Sequence, residues 1–296
     1  MGSGGFGRPG FGRPGLGRRS LVVRNLLKLW ALLVVCSLLL GAAGWEAGGY
    51  RLAILFLGSV VLLAAALYAY ADRIIMGMLG AREFVQAEGP ALHSTLERLA
   101  AQVGVVKPKL FIFADGYPRA LSSGRGAGGS SALAISVGLL GVATPAELEG
   151  VLAHELAHLK HRDVLLQTTV VVAATAVVEF SRIGGYFQRA LLFLLGPVAA
   201  AFVHLMLSPK REFEADRLAA ELCGSPHGLA DALVRLEQAM ELVAFQANPA
   251  TEPLYTTNPF VEEGLAGLFV THPPVGERVR RLRELDPDWR EKLRAA

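Results

Sequence analysis

Val151-Leu152-Ala153-His154-Glu155-Leu156-Ala157-His158-Leu159-Lys160-His161-Arg162-Asp163 decides how this chain is read, because it contains His154-Glu155-Leu156-Ala157-His158. Residues four apart share one face of an α-helix, so both imidazoles can reach one metal ion, and Glu155 beside the first can hold the water on that ion. This is the HExxH pattern of zinc peptidases. The sequence also supports the helix that the chemistry needs. Thr144 stands at the N-cap, Pro145 at the first helical position, and Glu147 completes a Thr-x-x-Glu capping box. Residue type and spacing together define a reaction as well as a site.

The surrounding chain is 296 residues long, 52% hydrophobic and of positive mean hydropathy. It is too apolar for an ordinary soluble domain and long enough to bury a core. Leu52 to Ala71 carries no charge over twenty residues, and ~20 residues cross a ~30 Å hydrocarbon core. Leu29 to Trp45 is a second uncharged run, with Lys28 able to snorkel to the headgroups and Trp45 and Tyr50 at interfacial positions. The two read as an N-terminal membrane hairpin. A cleaved signal peptide fits less well, because no small-x-small site follows the first run and a second span comes directly after it. Arg8, Arg13, Arg18, Arg19, Arg24 and Lys28 precede the hairpin, whereas its short loop carries only Arg51. The positive-inside rule therefore puts the N-terminus, and the segment after Ala71, in the cytoplasm. This basic tail explains part of the formal charge of +3, so no nucleic-acid partner is needed. Cys36 and Cys223 suggest no disulfide framework, and Cys223 fits a reducing compartment.

Five segments follow. Residues 1–25 are a repetitive Gly/Arg-rich tail with Pro, unable to bury a core and expected to be disordered. Residues 26–71 form the hairpin. Residues 72–163 form the first part of a metalloprotease domain, with a helix around Gly89 to Val103, strands at Lys109 to Ala114, Ala120 to Ser123 and Ala132 to Val137, and then the HExxH helix. Residues 164–207 hold two further apolar stretches, Val164 to Phe180 and Ala190 to Leu207, expected to make a second membrane hairpin flanked by Lys160, Arg162, Lys210 and Arg211. Residues 208–296 complete the domain. The expected fold is a mainly α membrane protein of up to four transmembrane helices, whose cytoplasmic α+β gluzincin-like domain carries a small β-sheet.

A catalytic zinc takes three protein ligands and leaves one position for water. His161 lies seven residues after His154 and one turn too far along the axis to share the ion well. A metzincin would have Gly and His where this chain has His161 and Val164. Ser208-Pro209 opens a helix after the second apolar pair, and Glu212 and Asp216 share one face of it. Glu212 is the better third ligand, with Asp216 accepting the outer N–H of a ligand histidine and Glu214 turned toward solvent. His93, His204 and His227 read as structural.

These motifs in this order, followed by Thr271-His272-Pro273-Pro274 and Glu277-Arg278, resemble the HtpX family of membrane zinc metalloproteases and, more distantly, the CAAX prenyl endoproteases. The resemblance covers roughly Ala31 to Leu285. It implies one Zn(2+) per chain bound by His154, His158 and Glu212, with Glu155 as the catalytic base. It also implies that His272 stabilises the oxyanion, with Arg278 beside it, and that the strands ahead of the metal helix offer an edge to an extended protein or peptide substrate. A multi-pass protein of the plasma (inner) membrane, engaged in quality control of misfolded membrane proteins, is the implied setting. One position departs from the family. Arg119-Ala120-Leu121-Ser122-Ser123-Gly124 stands where the family often has Asn-Ala-Phe-Ala-Thr-Gly, so the hold on the substrate backbone is expected to differ at Arg119.

Two other readings compete. An intramembrane or CAAX-type protease would bury HExxH within the spans, against which stand Glu147, Glu149 and the charged run Lys160 to Asp163. A non-catalytic zinc-binding scaffold would have no need of Glu155 beside its ligands. The residues favour no particular oligomeric state.

Overall fold

The computed structural model describes residues 16–124, 129–164, 166–167, 169, 209–241 and 273–288. Helix α1 (Leu16–Met78) is two helical arms joined at Gly48–Gly49, where Gly49 has φ 66° and ψ −157°, a backbone conformation open only to glycine. The arms fold back on each other closely. A Cβ on Gly44 would lie 2.7 Å from the Cα and N of Ala53, and one on Gly41 would lie 3.3 Å from Leu57. The two arms thus form a helical hairpin, and α1 begins at Leu16, inside the stretch expected to be disordered. Beyond Gly17 no glycine or proline interrupts Arg18 to Leu40, so nothing there opposes helix. One candidate membrane span occurs among the described residues, Gly44–Ala66. Its continuous part begins after the Gly49 break.

After α1 come β1 (Arg82–Glu83), α2 (Pro90–Val103), β2 (Lys109–Phe113), β3 (Ala120–Gly124), β4 (Ser131–Ser136), α3 (Val137–Val142) and α4 (Pro145–His161). Helices α5 (Pro209–Cys223), α6 (His227–Glu241) and α7 (Val275–Glu284) complete the described chain. The four strands form a mixed sheet in the order β1-β2-β4-β3, with β2 and β4 parallel and the other two pairs antiparallel. Alternation along β4 sorts the two faces. Leu133 and Ile135 pack with α2 and α4, while Ala132 and Ala134 pack with Ile75 and Met76 of α1. The sheet therefore lies between the end of the hairpin and the helix carrying His154. The expected strands are present to within a residue or two; β1 and α3 are additional.

Helix α4 is buried on nearly every side from Gly150 to Leu159. Leu152, Leu156 and Leu159 are at most 1% exposed, each burial contributing about 1.5–3 kcal/mol. Its capping box is formed: Thr144 N donates to Glu147 Oε2 at 2.7 Å and Glu147 N donates to Thr144 Oγ1 at 3.3 Å. Helices α5 and α6 pack directly on it. The second apolar hairpin falls almost wholly outside the described residues, as do the tail before Leu16, His204 and His272.

Candidate metal centre

His154 and His158 are one turn apart on α4, with ring planes 89° apart and Nε2 atoms 3.1 Å from each other. Helix α5 brings Glu212 Oε2 to 3.6 Å from the first Nε2 and 3.7 Å from the second. A point equidistant from these three atoms lies about 2.0 Å from each, the length of a Zn–N or Zn–O bond. The three residues are at most 5% exposed. Four buried carboxylates (Glu155, Asp163, Glu212 and Asp216) face two buried guanidiniums (Arg211 and Arg278). The balance of two negative charges suits a divalent cation, so the donor set fits the metal that the motif implies.

A second layer fixes the ligands. His154 Nδ1 lies 3.0 Å from Asp216 Oδ1, and Arg278 grips that carboxylate as a fork, Nη2 to Oδ1 at 2.6 Å and Nε to Oδ2 at 2.8 Å. His158 Nδ1 lies 3.0 Å from Asp163 Oδ2. A ring that donates from Nδ1 presents Nε2 as an acceptor to a metal. Arg211 Nη2 and Nε donate to the other oxygen of Glu212, at 3.1 and 3.3 Å, and its Nε lies 3.5 Å from Asp163 Oδ2. That leaves Glu212 Oε2 turned to the histidines.

The charges shift accordingly. Burial pushes the His158 imidazolium down, but Asp163 and Glu212 outweigh it and hold the ring up at about 10. Burial pushes Asp216 up, but the Arg278 charge and fork, with His154, bring it to about 2. Asp163 is held below the ordinary carboxylate range by His158 and Arg211 against its burial.

Glu155 is 4% exposed and lies close enough for its charge to act on Arg278. Its backbone carbonyl accepts a hydrogen bond from Ser122 Oγ of β3 at 3.4 Å, so the helix is tied to an edge strand of the sheet. The structure thus brings together His154, Glu155, His158, Glu212, Asp216 and Arg278. Arg278 turns its fork to Asp216, whereas His272, beside which the resemblance placed it, lies outside the described residues. His161 is buried but is not part of the triad; its charge acts on Asp163. His93 meets the Phe84 carbonyl at 2.7 Å and His227 meets Asp286 at 3.0 Å, both away from the triad. Arg119 is 8% exposed, ion-paired with Asp115 and stacked over Tyr117 with its guanidinium carbon 5.3 Å from the ring centre.

Asp163 and Arg211 escaped the sequence reading. Asp163 reaches back because Arg162 caps α4 in the left-handed conformation, with φ 54°, which a non-glycine residue seldom signals. Arg211 precedes the residue it holds, and neighbours in sequence do not ordinarily share a helical face.

Comparison with known proteins gives the family. Residues 86–286 match the model of Peptidase family M48. "Protease HtpX homolog" of Pelotomaculum thermopropionicum is 37% identical over 276 residues, 87% of this chain and 98% of that protein. Namesakes from Pyrococcus abyssi and Salinibacter ruber are also 37% identical, each over 87% of this chain and over 92% and 95% of their own lengths. The crystal structure of S. mikatae Ste24p has a TM-score of 0.49 at 19% identity, covering 89% of this chain and 66% of that one, a likeness too remote to bear on the site. The chain belongs to peptidase family M48, with HtpX proteases among its relatives, and is a membrane-associated metalloprotease that hydrolyses peptide bonds.

Proposed function

We propose that His154, His158 and Glu212 hold one Zn(2+) per chain and that Glu155 is the base of an endopeptidase acting at the cytoplasmic face of the plasma membrane. The observation that carries this is the buried triangle of three donor atoms 3.1 to 3.7 Å apart with Glu155 next to His154 on the same helix. When bound, zinc supplies Lewis acidity, lowering the pKa of water and polarising the scissile carbonyl. Glu155 takes the proton of the attacking water and returns it to the leaving amine. Asp216 and Asp163 hold the two imidazoles in one tautomer, and Arg278 and Arg211 keep those carboxylates charged. His272 donates to the developing oxyanion. Strand β3, at one edge of the sheet and tied to Glu155 through Ser122, aligns an extended substrate by backbone pairing.

The chain spans the membrane several times, through the α1 hairpin and through a second hairpin in 164–207, in a gluzincin-like arrangement. Its substrates are misfolded or damaged membrane proteins, and its role is quality control under stress. Kinship with proteins named as HtpX protease homologues supports this part of the reading. Glu155→Ala tests the mechanism. The variant should keep about one zinc per chain while peptide cleavage falls on the order of 10²–10⁴-fold. Unchanged cleavage would sink the assignment of the base.

A further inference from the structure

The second arm of α1 changes surroundings within a few residues. Val61 and Leu62 are 67% and 72% exposed, whereas Ala71, Ile75 and Met76 are at most 4% exposed, with Ile75 and Met76 packed on the sheet. Between them lie exposed Tyr68 and Tyr70, then Asp72 and Arg73, whose guanidinium carbon sits 5.6 Å from the Tyr70 ring centre. An aromatic pair followed by charge at the end of an apolar run marks the headgroup level of a membrane. The apolar run ends at Ala71, and there the sheet is attached. Ser123 Oγ donates to the Ala71 carbonyl at 3.1 Å. The next residue back, Ser122, donates to the Glu155 carbonyl at 3.4 Å. Two hydrogen bonds and two adjacent strand residues therefore separate the end of the run from the catalytic helix.

We infer that this site is fixed at the membrane surface and selects peptide bonds immediately beside a transmembrane segment. The inference rests on the proposed peptidase reading and on α1 crossing the bilayer. The path from the Ala71 Cα through Ser123 and Ser122 to the Glu155 Cα is at most about 20 Å with standard backbone dimensions. An extended chain advances ~3.3 Å per residue, so roughly six residues beyond a span are enough to reach the site. A bond farther along is presented less often, because the local concentration of a tethered segment falls roughly as the −3/2 power of tether length. The consequence is a class of substrate: juxtamembrane segments exposed when a membrane protein is damaged or mispaired, in preference to distant loops.

The experiment uses the zinc-loaded full chain in phosphatidylcholine vesicles. A bond that it cleaves in a denatured soluble protein is placed about four, six, eight, twelve and twenty residues beyond the end of a single transmembrane helix. Cleavage should begin at about six residues and be about six-fold slower at about twenty. Onset only at about twelve residues or more, or rates independent of distance, would overturn the inference while leaving the peptidase reading intact. If the denatured soluble protein is not cleaved either, the peptidase reading fails and the inference with it.

Discussion

At the residue scale, the centre is a charge problem solved by pairing. Asp163 and Asp216 each address one imidazole Nδ1 at 3.0 Å, and two buried arginines keep the surrounding carboxylates ionised. Removing one such partner leaves the ligand in place but free to turn. Asp163→Ala should therefore weaken zinc binding about 10–100-fold in competition against a chromophoric chelator, and wild-type affinity in that variant would deny Asp163 its role. The raised His158 also has a measurable sign. Its protonated form stabilises the metal-free fold fully below the ordinary value of 6.5, and this contribution is lost as pH rises through about 10. Metal binding requires the neutral ring, so zinc uptake at neutral pH should release about one proton. Calorimetry in two buffers of different ionisation enthalpy reads that proton, and identical heats in both would contradict it. Asp216 works in the opposite direction, contributing above 3.8 and losing its contribution as pH falls through about 2.

At the scale of elements, α4 must pass close to α6 while ending in a turn that sends Asp163 back toward it. A Cβ on Gly150 would lie 2.6 Å from the Leu229 nitrogen and 2.8 Å from its Cα, and backbone cannot yield as a flexible side chain does. Gly150→Ala should destabilise the protein by about 1–3 kcal/mol, seen as a lower Tm. Arg162→Gly should act the other way. It relieves a left-handed residue that strains the chain by roughly 1–2 kcal/mol, so an unchanged or lowered Tm would argue against strain at φ 54°. The contrast shows what the sequence made legible. Local signals such as Thr144-Pro145 with Glu147, the short apolar runs of β2 and β4, and Pro209 at the start of α5 place their elements, because capping hydrogen bonds, residue type and proline geometry dictate them. Strand β1 is two exposed residues that pair with β2, and α3 begins at Val137 because Ser136 Oγ caps Leu139 N at 3.0 Å, where an apolar run read as continuing strand. The partnerships of Asp163 and Arg211 depend on tertiary packing that no spacing announces.

For the whole molecule, the sheet couples the α1 hairpin to helix α4, one face on Ile75 and Met76 and the other on α4. The proposed metal site depends on that global fold. Glu212 is 54 residues beyond His158 in sequence and meets it only when α5 has packed against α4. The ligand set is thus the most exacting statement of how this chain folds and works, and elemental analysis of the purified protein tests it most directly. Wild type and His161→Ala should each carry about one zinc per chain, and Glu212→Ala should lose most of it. Zinc retained by Glu212→Ala but lost by His161→Ala would contradict the proposed centre.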